Sequence, residues 1–116
     1  MAAAVAISAL EVIRDEKLAD NAFRLGVIFR EEMNKLCETS RIAVSVRGKG
    51  LLNALVINNE GSKDLAWDIC LKLSENGLLA KPTHKNIIRF APPLVITESQ
   101  LLECLDIIKN TMGSFQ

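Results

Sequence analysis

The run Ile87-Ile88-Arg89-Phe90, closed by Ala91-Pro92-Pro93, leaves the chain few options at this point. A short apolar run bounded by turn residues predicts a strand, and paired prolines end it, since neither can donate to a sheet ladder. Side chains alternate along a strand, so Ile87, Arg89 and Ala91 share one face. A guanidinium cannot be deprotonated, and burying one is costly unless an anion meets it. Arg89 therefore implies an anion, either a protein carboxylate or a ligand, and is expected to be shielded from water at a sheet margin.

The rest of the chain can be read around that strand. Met1 to Ile13 is alanine-rich, which predicts a helix. It is apolar almost all round, as helices buried against something large are. It lacks a basic start and is too short to span a membrane, so a buried helix fits better than a signal peptide. Nothing downstream looks large enough to cover every side of it, which suggests a piece of a longer protein. Lys17 to Cys37 carries Leu18, Ala22, Leu25, Phe29, Met33 and Leu36 at helical spacing. Arg24, Arg30, Glu31 and Lys35 fall between them and read as a solvated polar face.

Ile42 to Arg47 alternates, with Ile42, Val44 and Val46 expected on one face, and Leu51 to Ile57 reads as a more buried strand. Gly48-Lys49-Gly50 between them predicts a tight antiparallel hairpin. After the polar loop Asn58 to Asp64, a helix is expected over Leu65 to Asn76, started by Ser62 or Asp64 and stopped by Gly77. Leu78 to Lys81 and Ile87 to Ala91 are the remaining strands, joined by Pro82 to Asn86. Thr97, with Gln100 three residues on, matches a capping box at the start of a last helix that ends at Gly113. This order predicts an α+β fold in one domain, residues 1–116, with a mainly antiparallel sheet of three to four strands packed with helices.

Composition narrows the function classes. The 14 basic and 14 acidic residues cancel and are interleaved, which argues against nucleic acid as a partner. One Trp, four Phe and no Tyr provide no platform for stacking bases. Cys37, Cys70 and Cys104 are widely spaced with no CxxC pair, so neither a disulfide framework nor a metal site is expected, and a reducing intracellular compartment is. His84 is the only histidine, and no cluster around it makes a metal site; a structural or solvent-facing role is expected. Arg47, Lys49 and the hairpin glycines lack the spacing of a phosphate-binding loop.

Three segments carry a resemblance. Val46 to Ala54 (VRGKGLLNA), Asn76 to His84 (NGLLAKPTH) and Ile87 to Leu94 (IIRFAPPL) resemble, in order and spacing, the ornithine branch of the class III, fold-type I transaminases. The resemblance extends from Ala2 to Phe115 and implies the C-terminal small domain of such an enzyme. It implies transfer of the δ-amino group of ornithine to 2-oxoglutarate by way of pyridoxal 5'-phosphate, in a homo-oligomer of the cytoplasm or mitochondrial matrix. It further implies that Arg89 receives the α-carboxylate of glutamate or 2-oxoglutarate and that a large-domain glutamate holds it in the ornithine half-reaction. The cofactor lysine, the aspartate facing the pyridine nitrogen and the phosphate loops of the family belong to the large domain and have no counterpart in this chain. No catalytic or cofactor-binding residue is therefore expected here, and Lys49, Lys81 and Lys85 are not expected to form a Schiff base. Residues 1–116 alone are expected to be inactive. Two other classes remain open: a non-catalytic small-molecule sensor, disfavoured by the two leading helices, and an interaction module, to which the apolar first helix lends some weight.

Overall fold

The structure is a computed structural model that describes residues 1–116. Its elements follow the expected order: α1 (Ala2–Asp15), α2 (Leu18–Thr39), β1 (Ala43–Lys49), β2 (Leu52–Ile57), α3 (Leu65–Glu75), β3 (Lys81–Thr83), β4 (Ile87–Phe90) and α4 (Glu98–Gly113). The four strands form one sheet in the order β1-β2-β4-β3, with every neighbouring pair antiparallel. The α+β reading holds, and the sheet takes the upper end of the expected strand count.

The sheet is covered on one face only. Leu55, Ile57, Ile88 and Phe90 turn towards α2, α3 and α4 and join Leu25, Phe29, Met33, Ile69, Leu73, Leu105, Ile108 and Met112 in a single core. Phe29 of α2 meets Phe90 of β4 with ring centroids 5.6 Å apart, a tilted aromatic pair that seats β4 on the helix layer. Two helix ends were readable as local chemistry. Thr97 and Gln100 exchange hydrogen bonds as a complete capping box at the start of α4. At the end of α3, Gly77 adopts φ 92°, and the amides of Gly77 and Leu78 donate to the carbonyls of Ser74 and Leu73. This is the pattern of a Schellman stop.

Several expectations are corrected. In β1 the register shifts between Ala43 and Ser45, a bulge that leaves Val44 exposed while Ile42 and Ala43 are buried, so strict alternation fails there. β3 begins at Lys81, three residues later than expected, and includes Pro82. A proline fits because β3 is an edge strand. Asp64 is the N-cap of α3, but its side chain makes no cap hydrogen bond. The helix α1 forms but buries none of its residues, and α2 is its principal neighbour. Arg89 is exposed and sits on β4, an interior strand, so it is neither shielded nor marginal. Alternation fixes which residues share a face, but whether that face is covered depends on where the helices pack.

Candidate functional site

The uncovered face of the sheet collects every charge that the sheet carries. The strand sequences AVSVRGK, LNALVI, KPT and IIRF contain four cations, Arg47, Lys49, Lys81 and Arg89, and no Asp or Glu. Directly paired residues of antiparallel strands point to the same face. Arg47 pairs with Ala54, Ala54 with Arg89, and Arg89 with Lys81, so these residues form one row across the sheet. Lys49 lies on the same side, two residues after Arg47 and opposite the exposed Leu52. Arg47 and Arg89 stand two strands apart, roughly 10 Å between Cα atoms at the usual spacing. Only the methyl of Ala54 separates them in the row.

Arg89 projects from this row between two shallow depressions. One, of about 410 Å³, is lined by Arg47, Gly48, Lys49, Leu52, Asn53, Ala54 and Arg89. The other, of about 240 Å³, is lined by Leu79, Ala80, Lys81, Arg89 and Ala91. The ion pairs of the chain lie elsewhere, at Arg14–Asp15, Arg24–Glu98, Lys35–Glu32, Lys72–Glu75 and Lys109–Glu32. Because Arg89 is exposed, water can solvate it, and the burial argument for an obligatory anion lapses. It makes no ion pair with a carboxylate of this chain and is free to take one from outside. The guanidinium is a planar fork that accommodates a carboxylate bidentately.

The β1–β2 hairpin, one wall of the larger depression, is held by a residue that sequence reasoning placed on a solvated face. Arg30 of α2 is half-buried. Its Nη1 donates to the carbonyl of Gly50 at 3.0 Å and to Oδ1 of Asn53 at 2.9 Å. No local signal in α2 distinguishes Arg30 from Arg24, which does pair with a surface carboxylate.

No group of three or more His, Cys, Asp or Glu side chains is placed to hold a metal ion. Burial pushes all three thiols up, Cys70 to about 11, so they are protonated and poor nucleophiles at neutral pH. His84 is exposed, in the β3–β4 turn, where it and Lys85 adopt left-handed φ of 51° and 66°. Lys49, Lys81 and Lys85 are all exposed, whereas a Schiff-base lysine needs a desolvated site.

A model of the aminotransferase class-III family matches residues 1–112. The chain belongs to the class-III aminotransferases. It is 56% identical over 110 residues to the mitochondrial ornithine aminotransferase of Drosophila melanogaster, a match covering 95% of this chain and 24% of that protein. Among solved structures, acetylornithine aminotransferase of Elizabethkingia anophelis superposes with a TM-score of 0.92 at 58% identity, over 97% of this chain and 28% of that one. The ornithine δ-aminotransferase of Plasmodium falciparum superposes at 0.91 with 43% identity, over 98% and 29% respectively. The chain spans about a quarter of the length of the curated relatives it matches. No helix is long and apolar enough to cross a membrane.

Proposed function

We propose that residues 1–116 form the C-terminal small domain of a longer pyridoxal phosphate-dependent ornithine aminotransferase, and that Arg89 receives the α-carboxylate of 2-oxoglutarate or glutamate. The observation that carries this reading is an exposed arginine, without a carboxylate partner, in an acid-free row on the bare face of a sheet. The domain supplies recognition and orientation: two parallel N–H donors fix the plane of the bound carboxylate as well as its position. The cofactor supplies the electron sink and is held by the rest of the enzyme. The same bare face is where that remainder covers the sheet, contributing the glutamate that holds Arg89 when ornithine is the substrate. In this reading the whole enzyme is a homo-oligomer of a reducing compartment, cytoplasmic or mitochondrial, and residues 1–116 alone turn over no substrate.

The test is a pair of single-turnover half-reactions in the complete enzyme. A hydrogen bond to a charged group contributes about 1.5–3 kcal/mol, and each 1.4 kcal/mol is about a factor of ten in rate. Arg89→Ala is therefore expected to slow the 2-oxoglutarate half-reaction by about a hundredfold or more while the enzyme stays folded. An unchanged 2-oxoglutarate half-reaction would refute the assignment. A second reading, with N-acetylornithine as the amino donor, is favoured by the similarity to the Elizabethkingia anophelis enzyme. Comparing kcat/KM for ornithine and N-acetylornithine separates the two.

A further inference from the structure

The contacts at the tip of the β1–β2 hairpin are more elaborate than a turn requires. Asn53 is only 2% exposed. Its Oδ1 accepts from Arg30, and its Nδ2 donates to the Gly50 carbonyl at 3.0 Å, the same oxygen that accepts from Arg30. Arg30, Asn53 and Gly50 thus close a three-membered ring of hydrogen bonds joining α2, β2 and the loop. Two glycines make room for it. A Cβ on Gly26 would lie 2.1 Å from the Gly50 carbonyl oxygen, and one on Gly48 would lie 2.3 Å from Asn53 Oδ1. Both distances are far inside contact, and each falls on an acceptor of the ring.

What the ring holds in place is the wall beside Arg89. β1 is an edge strand, so its ladder fixes it on one side only. Its outer end carries Arg47 and Lys49, which line the same depression as Arg89. Asn53 pairs with Phe90, one step along the strands from the Ala54–Arg89 pair. We propose that Arg30 is a positioning residue for carboxylate binding: through Asn53 and Gly50 it anchors the hairpin tip to α2 and so fixes Arg47 and Lys49 relative to Arg89. The inference rests on the reading of Arg89 as the carboxylate-binding residue. Arg30 itself reaches the hairpin from the covered, helix side of the sheet and touches no substrate. Without it the tip keeps its ladder and its packing on α2 but loses its hydrogen-bonded anchor, and the cations of the wall no longer sit at a fixed distance from the bound acid.

The experiment uses the complete enzyme and compares Arg30→Met, which keeps the side-chain bulk and removes the donors, with Arg30→Lys and with Arg89→Ala. KM and kcat are measured for each half-reaction, alongside thermal unfolding. Arg30→Met is expected to raise KM for 2-oxoglutarate by about tenfold, the loss of roughly one net hydrogen bond of positioning. Ornithine is expected to be affected by no more than about twofold, since its own carboxylate is not the group at this wall. Arg30→Lys, which can still reach one acceptor, is expected to recover part of the loss. A purely structural role would instead lower the active fraction and reduce kcat equally in both half-reactions, and that result would overturn the proposal. So would an unchanged 2-oxoglutarate KM in Arg30→Met while Arg89→Ala is strongly impaired. If Arg30→Met does not fold, the same KM comparison in Arg30→Lys decides. An Arg89→Ala enzyme with a normal 2-oxoglutarate half-reaction would remove the carboxylate reading itself, and the proposal with it.

Discussion

Arg30 and Arg89 both lack a carboxylate partner in this chain, and their surroundings differ. Arg30 is half-buried and donates to a backbone carbonyl and an amide oxygen, whereas Arg89 is exposed and makes no ion pair within the chain. The close approach that serves Arg30 gives a direct prediction. Gly26→Ala would press a methyl into the Gly50 carbonyl, and a backbone atom cannot step aside as a flexible side chain would. The expected cost is about 1–3 kcal/mol, seen as a lower midpoint in urea unfolding; an unchanged midpoint would show that the hairpin is not held against α2. The sequence singled out Arg89 as a cation embedded in an apolar strand, and left open whether a protein carboxylate or a ligand would meet it. Arg30 was not singled out, because a polar position on an amphipathic helix looks the same whether it meets water or a carbonyl twenty residues away. The exposure of Arg89 was also missed, since alternation describes faces and not what lies over them.

At the scale of elements, the helices and their stops followed from local chemistry, and the departures came from the sheet. The capping box of α4 and the Schellman stop of α3 involve residues within a few positions of one another, so the sequence displays them whole. The bulge at Val44 and the late start of β3 depend on partners far along the chain. Thr97→Ala is expected to lower stability by about 1 kcal/mol, the usual worth of such a cap, measurable by thermal unfolding; an unaltered melting curve would show that the cap contributes little here. α2 and α4 are joined by Glu32, which takes hydrogen bonds from Lys109 at 2.5 Å and Lys35 at 2.6 Å. Those hydrogen bonds, Lys109 first, hold its carboxyl down at about 2. A lowered pKa means stability that is complete above the unfolded value of about 4.3 and is lost as pH falls through about 2. Glu32→Gln is therefore expected to flatten the pH dependence of unfolding between about 4 and 2, and curves of identical slope in both proteins would contradict the role given to this bridge.

At the scale of the molecule, one layer of helices covers one face of a sheet, and two surfaces remain bare. One is the cationic sheet face; the other is α1, which projects Val5, Ile7, Leu10 and Val12 into solvent. The long axis of the molecule is 50 Å against 27 and 23 Å for the other two. Exposed apolar surface of this kind drives association, so residues 1–116 on their own are expected to self-associate in sedimentation velocity, and removal of residues 2–15 is expected to restore a monomer. A monomeric full chain at the same concentration would show that α1 is not a sticky surface. The all-round apolar pattern of α1 was plain in the sequence; its exposure was not, because periodicity does not show what a helix packs against. The central claim, that Arg89 waits for a carboxylate delivered from outside the domain, is tested most directly by a crystal structure of the complete enzyme with an unreactive C5 dicarboxylate bound. The expected result is a carboxylate paired bidentately with Arg89 at about 2.8 Å, over the row that includes Ala54. A dicarboxylate bound elsewhere, with Arg89 turned into bulk water, would contradict it.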